Sequence, residues 1–245
     1  MLVFRSVGIG KSIGIGVLAI VLSACGAPRP RAPAVQNPGE SAWRTDLPHT
    51  GKLYRIDGAE SELRVLVYRA GSLARFGHNH VMINRALRGS VNMAETPGES
   101  GFSLNVPAAA FVVDDAQARA EEGADFAAEV PDDAKAGTLQ NMLGAAVLDA
   151  AEFPQIAVRS LAISKTQDAT DTGALTATLA VSIAGHEARI DAPFTLQSDP
   201  QRISAAGTVQ LRQTDLGMTP YSLMLGALQV QDMITIKFKM VALPE

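Results

Sequence analysis

The side chains able to do chemistry in this chain are few and scattered. Its four histidines are His49, His78, His80 and His186. His78 and His80 lie two apart, so on an extended chain they point to one face, a spacing that can chelate a transition metal. His186 sits in a short break between two apolar runs and becomes a third ligand if that turn lies at the same end of the fold. The plainer reading makes them polar residues at a strand end that hydrogen-bond the nearby backbone. The string His78-Asn79-His80 carries no nuclease meaning, because neither the spacing of a ββα-metal site nor a basic surface accompanies it. His49 reads as a solvated linker residue. Asp114-Asp115 and Asp132-Asp133 fall in an acidic, alanine-rich stretch, 114–135, which reads as a solvated helix or mobile excursion. Beyond the first 24 residues no serine occupies a G-x-S-x-G elbow, and no phosphate-cradling glycine loop follows a strand. The chain is therefore expected to be no enzyme and to need no cofactor. The single cysteine, Cys25, excludes an intrachain disulfide.

The elements that must position these residues are strands. From Ala174 to Leu196 the chain reads ALTATLAVSI-AGHE-ARIDAPFTL. Leu175, Ala177, Leu179, Val181 and Ile183 alternate with small or hydroxylated residues, and Ala188, Ile190, Ala192, Phe194 and Leu196 resume the pattern after Gly185. A period of two with one apolar face, broken by a short glycine turn, predicts a β-hairpin. The same period marks 52–56, 62–68, 87–93, 102–106, 156–163, 203–211 and 233–241. In the last of these Lys237 and Lys239 mark the wet face. A helix is expected from Asp132 or Asp133 to about Leu143, stopped by Gly144, with Met142 and Leu143 turned to the sheet. The connection 213–232 is too apolar for a bare loop and is expected to form a short helix or lid over one mouth. At least eight strands, nearly all with one wet face, predict an all-β antiparallel sandwich or barrel.

The chain has 245 residues with a formal charge of −4; once Arg5 and Lys11 leave with a leader, 19 basic face 25 acidic residues. That balance argues against nucleic acid as a partner. Residues 1–24 fit a secretory signal peptide, with Arg5 and Lys11 before an apolar run too short to span a membrane. Residues 25–51 read as a flexible tether rich in Pro, Ala and Gly, and 52–245 as the folded domain. Leu22-Ser23-Ala24-Cys25 resembles the lipobox of bacterial lipoproteins. That resemblance implies cleavage before Cys25, its acylation, and anchoring at the periplasmic face of the outer membrane, since Gly26 stands where a retention Asp would be.

Several segments together resemble the YceI-like family: YRIDGAES near the domain start, LGAAVLDAAEFPQIAVRSLAI in the middle, LAVSIAGHEARIDAPFTL after it, and the closing TVQLRQTDLGMTPYSLMLGALQVQDMITIKFKMVAL. The chain departs from the family pattern at Glu60-Ser61, where His-Ser is usual, and at Phe76-Gly77-His78-Asn79-His80. The resemblance implies an antiparallel eight-stranded, lipocalin-like barrel with a short helix and a capping loop or helix, secreted to the periplasm and holding a polyisoprenoid, quinone or fatty acyl chain. An apolar lumen suits such a chain, which asks chiefly for exclusion of water. Small inward residues, Ala177, Ala188, Ala192, Ala205 and Gly207, would leave it room. The residues expected to meet the ligand are Phe76, His78 and His80 after the second strand, Met142 and Leu143 on the helix, and Leu179, Phe194 and Phe238 on strands. Met218, Tyr221 and Met224 are expected to meet it from the lid. Two other readings stay open. One is a metal-binding barrel using His78, His80 and His186. The other is a solid-cored interaction scaffold whose acidic excursion recruits a partner. A homodimer is compatible with each.

Overall fold

The computed structural model describes residues 51–166 and 174–245, all within the second of the chain's two compact units, 35–245. The expected signal peptide, Cys25, the tether up to residue 50 and His49 lie outside the described residues. The strands are β1 (Lys52–Ile56), β2 (Glu62–Val67), β3 (Arg69–Ala70), β4 (His80–Asn84), β5 (Arg88–Met93), β6 (Gly101–Pro107) and β7 (Val112–Val113). After helices α1 (Ala116–Glu121) and α2 (Asp132–Leu143) come β8 (Gln155–Lys165), β9 (Ala174–Ile183), β10 (His186–Asp199), β11 (Arg202–Arg212), β12 (Ser222–Leu223), β13 (Leu228–Val230) and β14 (Met233–Pro244).

Eight of them close into a ring in the order β1-β5-β6-β8-β9-β10-β11-β14, with β14 returning to β1 and every pairing antiparallel. Closure removes the free edges that an open sheet exposes. The hairpin foreseen at 174–196 is present: His186 pairs Ile183 and Thr195 pairs Ala174. Its two turn residues, Ala184 and Gly185, both have positive φ, 49° and 77°, the handedness that matches a right-twisted strand pair.

The last strand, β14, serves two partners along one edge. Thr235 to Lys239 pair with β2, whereas Ala242 to Pro244 pair with β1. Ser61, buried at 1% exposure, bridges the changeover: its Oγ accepts the backbone N–H of Val241 at 2.9 Å. From β2 the sheet continues through β4 to β7, on which α2 packs. β8 carries a bulge between Ser160 and Ala162.

One expectation is corrected here. The stretch 114–135 is not a solvated excursion. Asp115 caps α1 by accepting from Ala118 N at 2.9 Å, and Ala118 and Phe126 are buried against Leu66, Val81 and Ile83 on the outer face of β2 and β4. Leu66 in β2 and Val81 and Ile83 in β4 are apolar on the outer face as well, so an outer layer is needed to cover them. The connection 213–232 forms a lid at the end of the barrel, as expected. It makes two single 3₁₀ turns, Gln213–Leu216 and Met224–Gly226, and a small sheet in the order β12-β13-β3. Among the described residues no helix is long and apolar enough to cross a membrane.

Candidate functional site

The barrel is hollow. A cavity of about 700 Å³ runs through it, lined from all eight ring strands and from β2, β4 and α2. The volume lies in the range of small-molecule sites. Its cause is visible in the exposure pattern. Ile190, Phe194, Ala205, Val209, Ile236 and Phe238 point inward by strand alternation, yet each is only half-buried because it faces empty space rather than another side chain. Ala177, Ala192 and Ala205 line the lumen as small residues. Gly207 acts differently. A Cβ there would come within 2.6 Å of Phe238 Cζ, so the glycine lets the ring of its cross-strand partner Phe238 lie over the wall.

Strand register divides the lumen into two ends. Val67↔His80, Pro107↔Gln155, Ile183↔His186 and Arg212↔Met233 lie at one end; Asn92↔Gly101, Lys165↔Leu175 and Asp199↔Arg202 lie at the other. The wall is apolar nearly throughout. The first end gathers Arg69, His78, His80, Thr138, Asn141, Gln213 and Tyr221; the second has Glu95 and Ser100.

Of the residues expected to meet a ligand, Phe76, His78, His80, Met142, Leu179, Phe194, Met218, Tyr221 and Phe238 all line this one cavity. Leu143 does not; it packs with the core beside the cavity. Met224 does not either, because its 3₁₀ turn carries it outward to 71% exposure. Leu225 beside it, at φ 57°, is fully exposed.

The histidines separate. His78 and His80 both face the lumen, their ring centroids 6.1 Å apart. Asn79 between them points the other way, donating to Asp125 O at 2.9 Å and accepting Arg69 N at 3.0 Å. His186 does lie at the same barrel end, but its ring packs on Gly217, where a Cβ would fall 2.5 Å from His186 Cγ. The three-histidine metal site is therefore not assembled, and among the described residues no three His, Cys, Asp or Glu side chains gather as metal ligands.

What holds His80 is a buried acid that the sequence reading left in solvent. Asp114, its side chain fully buried, receives His80 Nδ1 on Oδ2 at 2.6 Å. Its Oδ1 accepts Val81 N at 2.9 Å and Arg119 Nη1 at 2.5 Å. Burial alone would push the Asp114 carboxyl up; the hydrogen bonds it accepts from His80, Val81 and the Arg119 guanidinium outweigh it and hold the group below the usual carboxylate range. Both terminal nitrogens of Arg119 are engaged, donating also to the carbonyls of Asn79, Phe126 and Ala128. The other face of His80 turns to α2, where Thr138 Oγ1 lies 3.4 Å from Nε2. A second network pins α1 to the barrel: Glu122, 4% exposed, takes Arg64 at 2.7 Å and Lys237 at 2.5 Å. Glu60 faces solvent, pairs with Arg202 at 2.6 Å and is not among the residues that line the lumen.

Comparison with known proteins agrees with this geometry. The family model of the YceI-like domain matches residues 54–242. Among solved structures the chain is similar to BcnA of Burkholderia cenocepacia, with 14% identity, a TM-score of 0.55, and 76% of this chain against 98% of that one covered. It is similar also to a polyisoprenoid-binding domain from Saccharophagus degradans implicated in plant cell wall breakdown, with 13% identity, a TM-score of 0.50, and coverage of 78% and 98%. At these identities the likeness concerns the fold. No curated protein matches the chain.

Proposed function

The chain belongs to the YceI-like domain family, and from that premise we propose that it is a bacterial envelope lipoprotein whose barrel holds one long apolar molecule, a polyisoprenoid, quinone or fatty acyl chain, for storage, transport or protection under stress. The observation that carries the reading is the hollow interior: an apolar lumen of about 700 Å³ with its polar groups confined to the ends. An empty apolar space of this size gains free energy by taking up hydrocarbon, about 0.8 kcal/mol for each methylene buried. The wall formed by the described residues is almost wholly apolar, so binding rather than turnover is its expected activity. The name of the Saccharophagus domain supports an isoprenoid as the first ligand to try.

The test is direct. The folded domain, purified from its native host, is extracted with organic solvent and the extract analysed by mass spectrometry, and the stripped domain is titrated with a fluorescent isoprenoid. A stoichiometric long-chain lipid and saturable uptake are expected. Absence of both would overturn the carrier reading. The anchor is tested separately by feeding cells a tagged fatty acid: label should follow the protein into the outer-membrane fraction and be lost in Cys25→Ser. Label retained by that variant would overturn acylation at Cys25.

A further inference from the structure

We infer that the histidine end of the lumen is a hydroxyl-binding site: His80, oriented by Asp114 and Arg119, accepts a hydrogen bond from the terminal hydroxyl of a long-chain alcohol or phenol whose chain fills the barrel. The inference rests on the carrier reading above and names the chemistry of the ligand's polar end.

Proton placement decides what this end of the lumen can hold. Asp114 is an ionised carboxylate whose Oδ1 already accepts from Val81 N and Arg119 Nη1. It has no proton to give, so the contact from Oδ2 to His80 Nδ1 at 2.6 Å requires the proton on Nδ1. In the uncharged ring that leaves Nε2 as a bare lone pair. The pair is not spent on the protein's own backbone; it faces α2 and the lumen, with Thr138 Oγ1 at the outer limit of hydrogen bonding, 3.4 Å. An apolar cavity that ends on an acceptor selects a donor, and a group able only to accept meets an unsatisfied lone pair. Thr138 and Asn141, one turn apart on the lumen face of α2, can donate to the oxygen of the same hydroxyl. An anionic end group fits less well. Its oxygens would face the Nε2 lone pair; of the nearby cations, Arg119 sits behind Asp114, and Arg69 spends one of its donors, Nη1, on Gly77 O at 2.7 Å.

The test uses three probes of one chain length: geranylgeraniol, its methyl ether and its monophosphate. Each is titrated at pH 8 into the stripped wild-type domain and into His80→Phe. Wild type should bind the alcohol about fivefold to tenfold more tightly than the ether, the worth of one buried hydrogen bond. His80→Phe should bind the two alike. Equal affinity in wild type, or tighter binding of the phosphate than of the alcohol, overturns the inference while leaving the carrier reading intact. Failure of all three probes to bind wild type overturns both. Ring ¹⁵N shifts of His80 in the wild-type domain give a readout independent of how the variant folds. Protonation at Nδ1 alone is expected, and a proton on Nε2 overturns the inference.

Discussion

Replacing Ala205 by phenylalanine separates a hollow barrel from a packed one. Ala205 lies on β11, points inward between Leu196 and Met240, and borders the cavity rather than other side chains. A phenylalanine there adds about six carbons to the lumen and displaces a comparable length of bound chain. At about 0.8 kcal/mol per methylene, and allowing the ligand to slide partly toward a mouth, the loss is about 3 kcal/mol, or two orders of magnitude in Kd. The fold should respond in the opposite sense. The new ring buries apolar surface in existing space, so the ligand-free domain should gain about 1 kcal/mol and melt about 2–4 °C higher. Had the space been filled, the same change would overpack and cost about 1–3 kcal/mol. The assays are displacement of a fluorescent isoprenoid and thermal melting of the stripped protein. A Kd unchanged within twofold, or a fall in Tm, would refute the lumen as the binding place.

Other consequences can be measured on the same domain. Removing the acid behind His80 with Asp114→Ala leaves Arg119 charged, buried and unpaired, which should cost about 3–5 kcal/mol in urea unfolding; a loss under 1 kcal/mol would show that water reaches the site. The depressed Asp114 carboxyl also fixes a pH dependence. Its stabilisation is complete above the ordinary carboxylate range and is lost as pH falls through the lower folded value, so wild type should lose more stability than Asp114→Asn between about pH 5 and pH 2, and parallel curves would contradict this. Glu122→Gln weakens the bonds to Arg64 and Lys237 that pin α1, and amide exchange should quicken across Ala116–Glu121 while β9 and β10 stay protected. Unchanged exchange in α1 would count against that anchor. Glu60→Gln, at an exposed pair, should leave both Tm and ligand affinity where they were, and a loss of affinity would bring the family's histidine position back into the site.

How much of this could be read from the sequence depended on whether the cause was local. The alternation through β9, β10, β11 and β14 follows from one wet and one dry face, so those strands and the small residues Ala177, Ala192 and Ala205 were legible. The acidic stretch was not. Its composition resembles solvated chain, and only Phe126 within it, together with the unbroken Val81-Met82-Ile83 run in β4, signals that two apolar surfaces meet there. Asp114 and His80 are 34 residues apart and become partners only when β7 pairs with β4, so no spacing rule links them. His186 lies at the same barrel end, but its ring packs on Gly217 of the 213–232 connection, a contact that no local spacing announces. Met224 was read as apolar and therefore inward, whereas its left-handed backbone turns it out.

The sharing of β14 between β1 and β2 has a temporal consequence. During synthesis the strand that seals the cylinder emerges after every other strand described here, and until it does the greasy inner wall lies open along a seam. Contacts between residues nearly two hundred positions apart form slowly. The cylinder therefore cannot lock itself shut before β14 has arrived.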